Sequence, residues 1–309
     1  MPIFWKSKIL LAKIESSYGT DPTPSGADNG VLATNITLRP MEGQDVSREL
    51  ELPWLGAQAT IPAELHSRIQ FQVELAPSGT VGVAPAWGPL LRACRAAQSI
   101  VADTSVAYTP ISTAAESATI WFYLGETRYI MKGCRGNCVM RVTAQGIPYL
   151  DFDMMGLFSV PSQQTRPAPT LTGFQKPRLA TSAATVVTID SIDMVTRNFA
   201  LDLGNDVQGR FLIGSESIQI VAAAESLTAQ VEALSLSTWN PYTKAAEQAA
   251  VPISVVHDDG AGKIATLAIP AAQVQRPEGL TNAQNVAEWP LRFVPLPTTG
   301  NDQWSLTLT

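Results

Sequence analysis

The chain has 309 residues, 16% of them charged and 45% hydrophobic, with 21 Lys and Arg against 27 Asp and Glu. The charge content is below the about 25% of an ordinary soluble domain, and the apolar content suffices for a sizeable core, which excludes a chain disordered throughout. A net charge of −6 argues against a protein that holds nucleic acid by neutralising phosphates, though not against a surface that nucleic acid must slide past. So few charges favour assembly over life as a lone subunit. His66 and His257, far apart, are poor stock for a zinc enzyme or a Ser-His-Asp hydrolase. Three cysteines, an odd number without a secretion context, argue against a disulfide framework.

The chain opens with a basic start and a short apolar run, Ile9–Ala12, that resemble a weak signal peptide, but Lys13 interrupts the run and no small-residue cleavage site follows, so no secretory leader is expected. No stretch reaches the roughly 18 apolar residues of a membrane span, so the protein reads as made in the cytosol with no membrane segment. Thr20–Gly30 is rich in turn residues. Glu49–Leu52 and Ile69–Leu75 alternate polar and apolar, which predicts strands with one wet face. Pro85–Ala97 predicts a helix with Leu90, Leu91 and Cys94 on one side. Further strands are predicted at Thr119–Leu124, Tyr129–Lys132, Cys138–Thr143 and Leu150–Met154. Between two of them, Gly133–Cys138 (GCRGNC) reads as a glycine-rich hairpin turn carrying Cys134 and Cys138 as free thiols, since no further metal ligands are near. Pro161–Pro177, with four prolines, reads as a linker between two domains, 1–165 and 166–309.

The second half repeats the plan of the first. Phe199–Leu203 parallels the Glu49–Leu52 region, and Leu227–Leu236 parallels Arg68–Leu75, both containing Gln-Val-Glu. A Trp/Pro turn and a short Ala-rich helix are predicted after each, Pro85–Ala97 and Trp239–Ala250, then hairpin strands, Ile120–Leu124 and Ile253–Val256. Gly156–Pro161 and Trp289–Pro295 close the two halves. This order implies duplication of a unit of roughly 140 residues, longer than solenoid repeats; two unrelated β-rich domains are the other reading. No Walker loop and no GxSxG is present. Asp151 and Asp153 share a strand face, but a catalytic dyad also needs a pocket that nothing here suggests. The expectation is a protein that is not an enzyme and uses no cofactor or metal.

Phe199–Ser217 (FALDLGNDVQGRFLIGSES) and Leu10–Pro24 (LLAKIESSYGTDPTP) resemble the tail tube proteins of long-tailed, non-contractile bacteriophages. The first is similar to the strand pair before the outer helix, the second to the N-terminal arm. The resemblance implies a mainly β fold, here two tandem tube-like β-sandwich or barrel domains each with a short flanking helix. It implies a structural subunit of the virion tail, made in the host cytoplasm, whose rings stack into a conduit for genomic DNA. Single-domain members form hexameric rings; a duplicated chain implies trimeric rings with pseudo-sixfold symmetry, hexamers being the alternative. Tail terminator, distal tail and tape measure proteins are the implied partners. A related secretion-system tube or baseplate component, or a β-rich adhesion module, are the rival readings.

Within that frame, Glu49, Glu51, Gln70, Gln72 and Glu74, with Asp202 and Glu232 in the second half, are candidates for the lumen wall. An acidic wall would repel phosphate where a basic one would trap it. The same residues equally suit a solvated outer face. Arg48 and Arg68 are candidates to pair with these acids. Ile3, Phe4 and Trp5 form an apolar arm, suited either to insertion into an adjacent ring or to packing on their own subunit.

Overall fold

A computed structural model describes residues 3–309. Its elements are strands, with two short helices among the described residues, as the alternating sequence predicts. The first half contains β1 (Lys8–Ile14), β2 (Gly30–Val31), β3 (Thr34–Ser47), β4 (Thr60–Glu74), α1 (Gly88–Arg92), β5 (Ala96–Val101), β6 (Ser105–Pro110), β7 (Ala118–Leu124), β8 (Thr127–Thr143), β9 (Tyr149–Leu157) and β10 (Ser162–Gln163). The second contains β11 (Thr185–Ile189), β12 (Ile192–Asp193), β13 (Thr196–Asp202), β14 (Asn205–Leu212), β15 (Ser215–Ala223), β16 (Ser226–Glu232), α2 (Pro241–Ala246), β17 (Ala250–Asp258), β18 (Ile264–Val274), β19 (Thr281–Ala283), β20 (Val286–Pro295) and β21 (Ser305–Leu308). The fold is mainly β, with open sheets and no closed barrel among the described residues.

One antiparallel sheet organises the molecule. Its strands run β3-β4-β9-β8-β13-β16-β20-β19, every neighbouring pair antiparallel. The centre of this order is β8–β13, where Asn198–Asp202 of the second half adds to Val139–Thr143 of the first. A second seam joins β6 to β21, Leu306 opposite Tyr108. Beneath the sheet, β1 pairs with β7 and β11 with β17. The main apolar core draws on both halves, including Phe71, Trp87, Phe152, Phe199, Trp239 and Phe293, and a smaller cluster gathers Ile9, Leu11 and Tyr123. Trp87 and Trp239 are buried beside the helices, their indole N–H groups donating to the Ala76 carbonyl and the Asp190 carboxylate.

Several sequence expectations change. Glu49–Leu52 is not a strand: β3 ends at Ser47, and the chain from 48 to 59 is the irregular tip of a long hairpin. The alternation there has no partner strand to hold it. Gln58 instead brackets the tip, accepting from the Leu50 N–H at 2.7 Å and donating to the Leu50 carbonyl. The true counterpart of Phe199–Asp202 in pairing is Ile36–Arg39, on the base of that hairpin.

GCRGNC is no turn. It lies inside β8, which runs unbroken for 17 residues. Its glycines serve close packing: a β-carbon on Gly133 would fall 2.6 Å from the Tyr18 ring, and one on Gly136 would collide with the Met154 sulfur. Gly133, at φ +60°, lies where the β8–β7 and β8–β9 registers shift. Cys94, Cys134 and Cys138 are buried free thiols whose pKa values burial pushes up.

Both helices are shorter than predicted. Arg95 and Gln248, each at positive φ, turn the chain out of α1 and α2 into strands. Strand register also matches Glu288–Leu296 with Tyr149–Leu157, so Trp289 corresponds to Leu150 rather than to Gly156. Residues 8–14, expected within an arm, form a core strand: Leu10 and Leu11 are buried, and Glu15 after them accepts four hydrogen bonds, from Thr119, Ser117, Gly133 and Gly19.

Candidate functional site

Alternation along each strand of the long sheet sends one set of side chains into the core and the other to a polar face. On β4 the core takes Ile69, Phe71 and Val73, leaving Arg68, Gln70, Gln72 and Glu74 outside. On β9 it takes Leu150, Phe152 and Met154, leaving Asp151 and Asp153. On β13 it takes Phe199 and Leu201, leaving Asn198 and Asp202; on β16 it takes Leu227, Ala229 and Val231, leaving Thr228, Gln230 and Glu232. The register therefore brings Gln70, Gln72, Glu74, Asp202 and Glu232 onto one face that crosses the junction between the halves. Glu49 and Glu51 are not on it; they sit on the exposed hairpin tip with Arg48, away from any strand.

This face is an ion-paired mosaic rather than a plain acidic wall. Arg68 grips Asp153 with two hydrogen bonds, 2.7 and 2.5 Å, and Gln70 donates a third at 2.9 Å. Burial opposes ionisation of Asp153, yet these donors hold its carboxyl below the usual Asp range. Arg141 pairs with Asp151, and Arg197 with Glu288, whose carboxyl the guanidinium holds below its usual range. Asp202 accepts from the Asn137 amide at 2.7 Å and the Gly204 N–H at 2.8 Å. Glu74 and Glu232 have no ion-pair partner among the described residues. Partial burial raises the Glu74 pKa.

Sequence reasoning singled out Arg68 as a partner but did not place Asp151, Asp153, Arg141, Arg197 and Glu288 on this face. Their alternation was visible; the cross-strand partners that make them one surface were not. At the N-terminus, Ile3, Phe4 and Trp5 are exposed, with Lys8 over the Trp5 ring at 4.0 Å. No group of three His, Cys, Asp or Glu among the described residues is placed to hold a metal, and no helix among them is long and apolar enough to cross a membrane.

The second half also embraces the first through a hairpin, β14–β15. Tyr18 Oη accepts from the Ile218 N–H, and Arg135 donates to the Ile218 carbonyl at 2.9 Å. Arg95, 13% exposed, reaches Glu225, 7% exposed, at 2.5 Å, and Asn205 donates to the Cys94 and Gly136 carbonyls. His66 and Phe211 stack at 6.0 Å.

The fold defines a β-rich protein whose open antiparallel sheet has one long polar face and, among the described residues, two edge strands, β3 and β19, with unpaired backbone groups onto which another strand can add. The model of the phage tail tube protein family matches residues 5–296, and the chain belongs to that family. It is a structural subunit of the tube in a phage virion tail, where it assembles with other copies and other tail components. A search of curated proteins finds no match.

Proposed function

We propose that three chains close into a ring with pseudo-sixfold symmetry, each chain contributing two copies of one tube unit, 1–165 and 166–309. The rings stack into a conduit through which genomic DNA leaves the capsid, and the polar face of the long sheet lines it. Tail terminator, distal tail and tape measure proteins cap, found and measure the tube. Exposed Ile3, Phe4 and Trp5 reach the adjacent ring.

One observation carries this reading: the polar face runs without a break across β8–β13, so the two halves present one surface. On it, arginines neutralise Asp151, Asp153 and Glu288 while Glu74 and Glu232 stay unpaired. Such a wall is weakly acidic and gives a passing phosphate little to grip.

The test has two parts. Mass measurement on an isolated ring should give three chains; six would overturn the stoichiometry. Virions carrying Glu74→Lys and Glu232→Lys should eject DNA more slowly at low salt, the defect fading as salt rises because each new phosphate contact releases counterions. Unchanged ejection, with lysines confirmed in assembled tubes, would place this face outside the lumen.

A further inference from the structure

The eight-strand sheet has two free edges, β3 at one end and β19 at the other: among the described residues β3 pairs only with β4, and β19 only with β20. We propose that β3 of one copy adds to the Gly279–Asn282 edge of a second copy, antiparallel, in the register already used inside the chain by β13 and β8. This rests on the tube reading and names the residues that join neighbouring chains.

Three observations support the pairing. First, strand order is the same on both sides of the internal junction: β3-β4-β9-β8 in the first half, β13-β16-β20-β19 in the second. The junction β8–β13 joins the last strand of one set to the first of the next, and β19 with a neighbour's β3 is the same join repeated. Eight strands, each antiparallel to the next, leave β3 and β19 opposed in direction, so a second copy adds to β19 without reversing any strand.

Second, the register transfers residue by residue. Ala200 and Leu201 pair with Thr228 and Leu227 as Thr37 and Leu38 pair with Gln70 and Ile69. Arg141 pairs with Tyr149 as Thr281 pairs with Glu288, and Tyr149 and Glu288 face Glu74 and Glu232 alike. Inside the chain, Ala200 faces Arg141 and Leu201 faces Met140. Between chains, Thr37 then faces Thr281, and Leu38 faces Leu280. Thr281 takes a hydrogen bond from Gln230 and pairs beside Glu288, so it sits on the polar face, as Arg141 does.

Third, burial differs where the junction is missing. Phe199, Leu201 and Met140, sealed by the internal junction, are at most 2% exposed. Their counterparts are open: Leu280 is 61% exposed, and Ile36 and Leu38 are only partly covered. The arm repeats the pattern. The β14–β15 hairpin rests on the first half, whereas the outer part of the β3–β4 hairpin, with Met41, Val46 and Ile61 about half exposed, reaches past its own chain. It lies on the second half of the neighbour.

The test is oxidative cross-linking of mixed chains. Protein carrying Thr37→Cys is mixed with protein carrying Thr281→Cys and assembled; both sites are exposed, and the native thiols are buried. A covalent dimer is expected, and the double variant should close into a covalent ring. Thr37→Cys mixed with Asn282→Cys places the thiols on opposite faces and should give at least tenfold less dimer. In unmodified protein, the amides of 36–39 and 280–282 should gain hydrogen-exchange protection on assembly. Tubes seen by microscopy without the Thr37–Thr281 link and without that protection would overturn the junction while leaving the tube reading intact. Failure of unmodified protein to assemble under any condition would overturn both.

Discussion

Leu201 on β13 stands opposite Met140 on β8, and both are buried. One residue belongs to each half of the chain, so the pair ties the halves into a single core. Leu201→Ala should lower stability by about 2–5 kcal/mol, the usual cost of removing a buried leucine from a packed site. Because the halves share this core, urea unfolding of the unassembled variant should still follow one transition by both tryptophan fluorescence and circular dichroism. Two separated transitions would show that the halves fold independently.

The Arg95–Glu225 pair fastens the β14–β15 hairpin to the first half. Glu225→Ala leaves the guanidinium without its counter-charge in a buried place, and a loss of about 3–5 kcal/mol is expected. Arg95→Met combined with Glu225→Leu removes both charges and should recover most of it. Denaturant midpoints of the three proteins decide the matter; a double variant as weak as the single one would mean that Arg95 acts through its bonds to Asn205 and Ile111 instead.

Acid should weaken the fold in two stages. Burial lowers the His257 pKa, so below the ordinary histidine value of about 6.5 the unfolded chain takes up the proton first and stability falls. Above that value His257 is neutral in both states and contributes no slope. Asp153 and Glu288 are held low, so their stabilisation is full above the ordinary carboxylate range and is lost as pH drops below about 4. Urea midpoints from pH 8 to pH 3 should show both stages, and His257→Gln should flatten the first. A wild-type midpoint constant between pH 7 and pH 5 would contradict the histidine assignment.

Removing residues up to Lys6 should leave thermal unfolding of the subunit nearly unchanged, since Ile3, Phe4 and Trp5 are exposed. Removing residues up to Glu15 deletes β1, uncovers the core against β7 and leaves the four donors that meet Glu15 unpaired. That protein should not fold. Comparing melts followed by circular dichroism separates the two, and the shorter truncation alone should report on ring stacking.

The amino-acid sequence by itself determined that the protein is built of strands and which side of most strands is apolar. Ile69–Leu75 shows why: side-chain alternation is a property of one strand, written in consecutive residues. The repeated Gln-Val-Glu segments also mark β4 and β16, which hold matching places in the pairing order. Pairing is different in kind, because it joins residues far apart in the chain and leaves no local mark. Glu49–Leu52 alternates as well as any strand, yet it has no neighbour to bond to and becomes a hairpin tip. Gly133 and Gly136 look like turn residues and are strand residues, because what they accommodate, Tyr18 and Met154, comes from elsewhere in the fold. Only the tertiary structure decided that β13 adds to β8, that Asp153 meets Arg68, and that the sheet ends on two open edges.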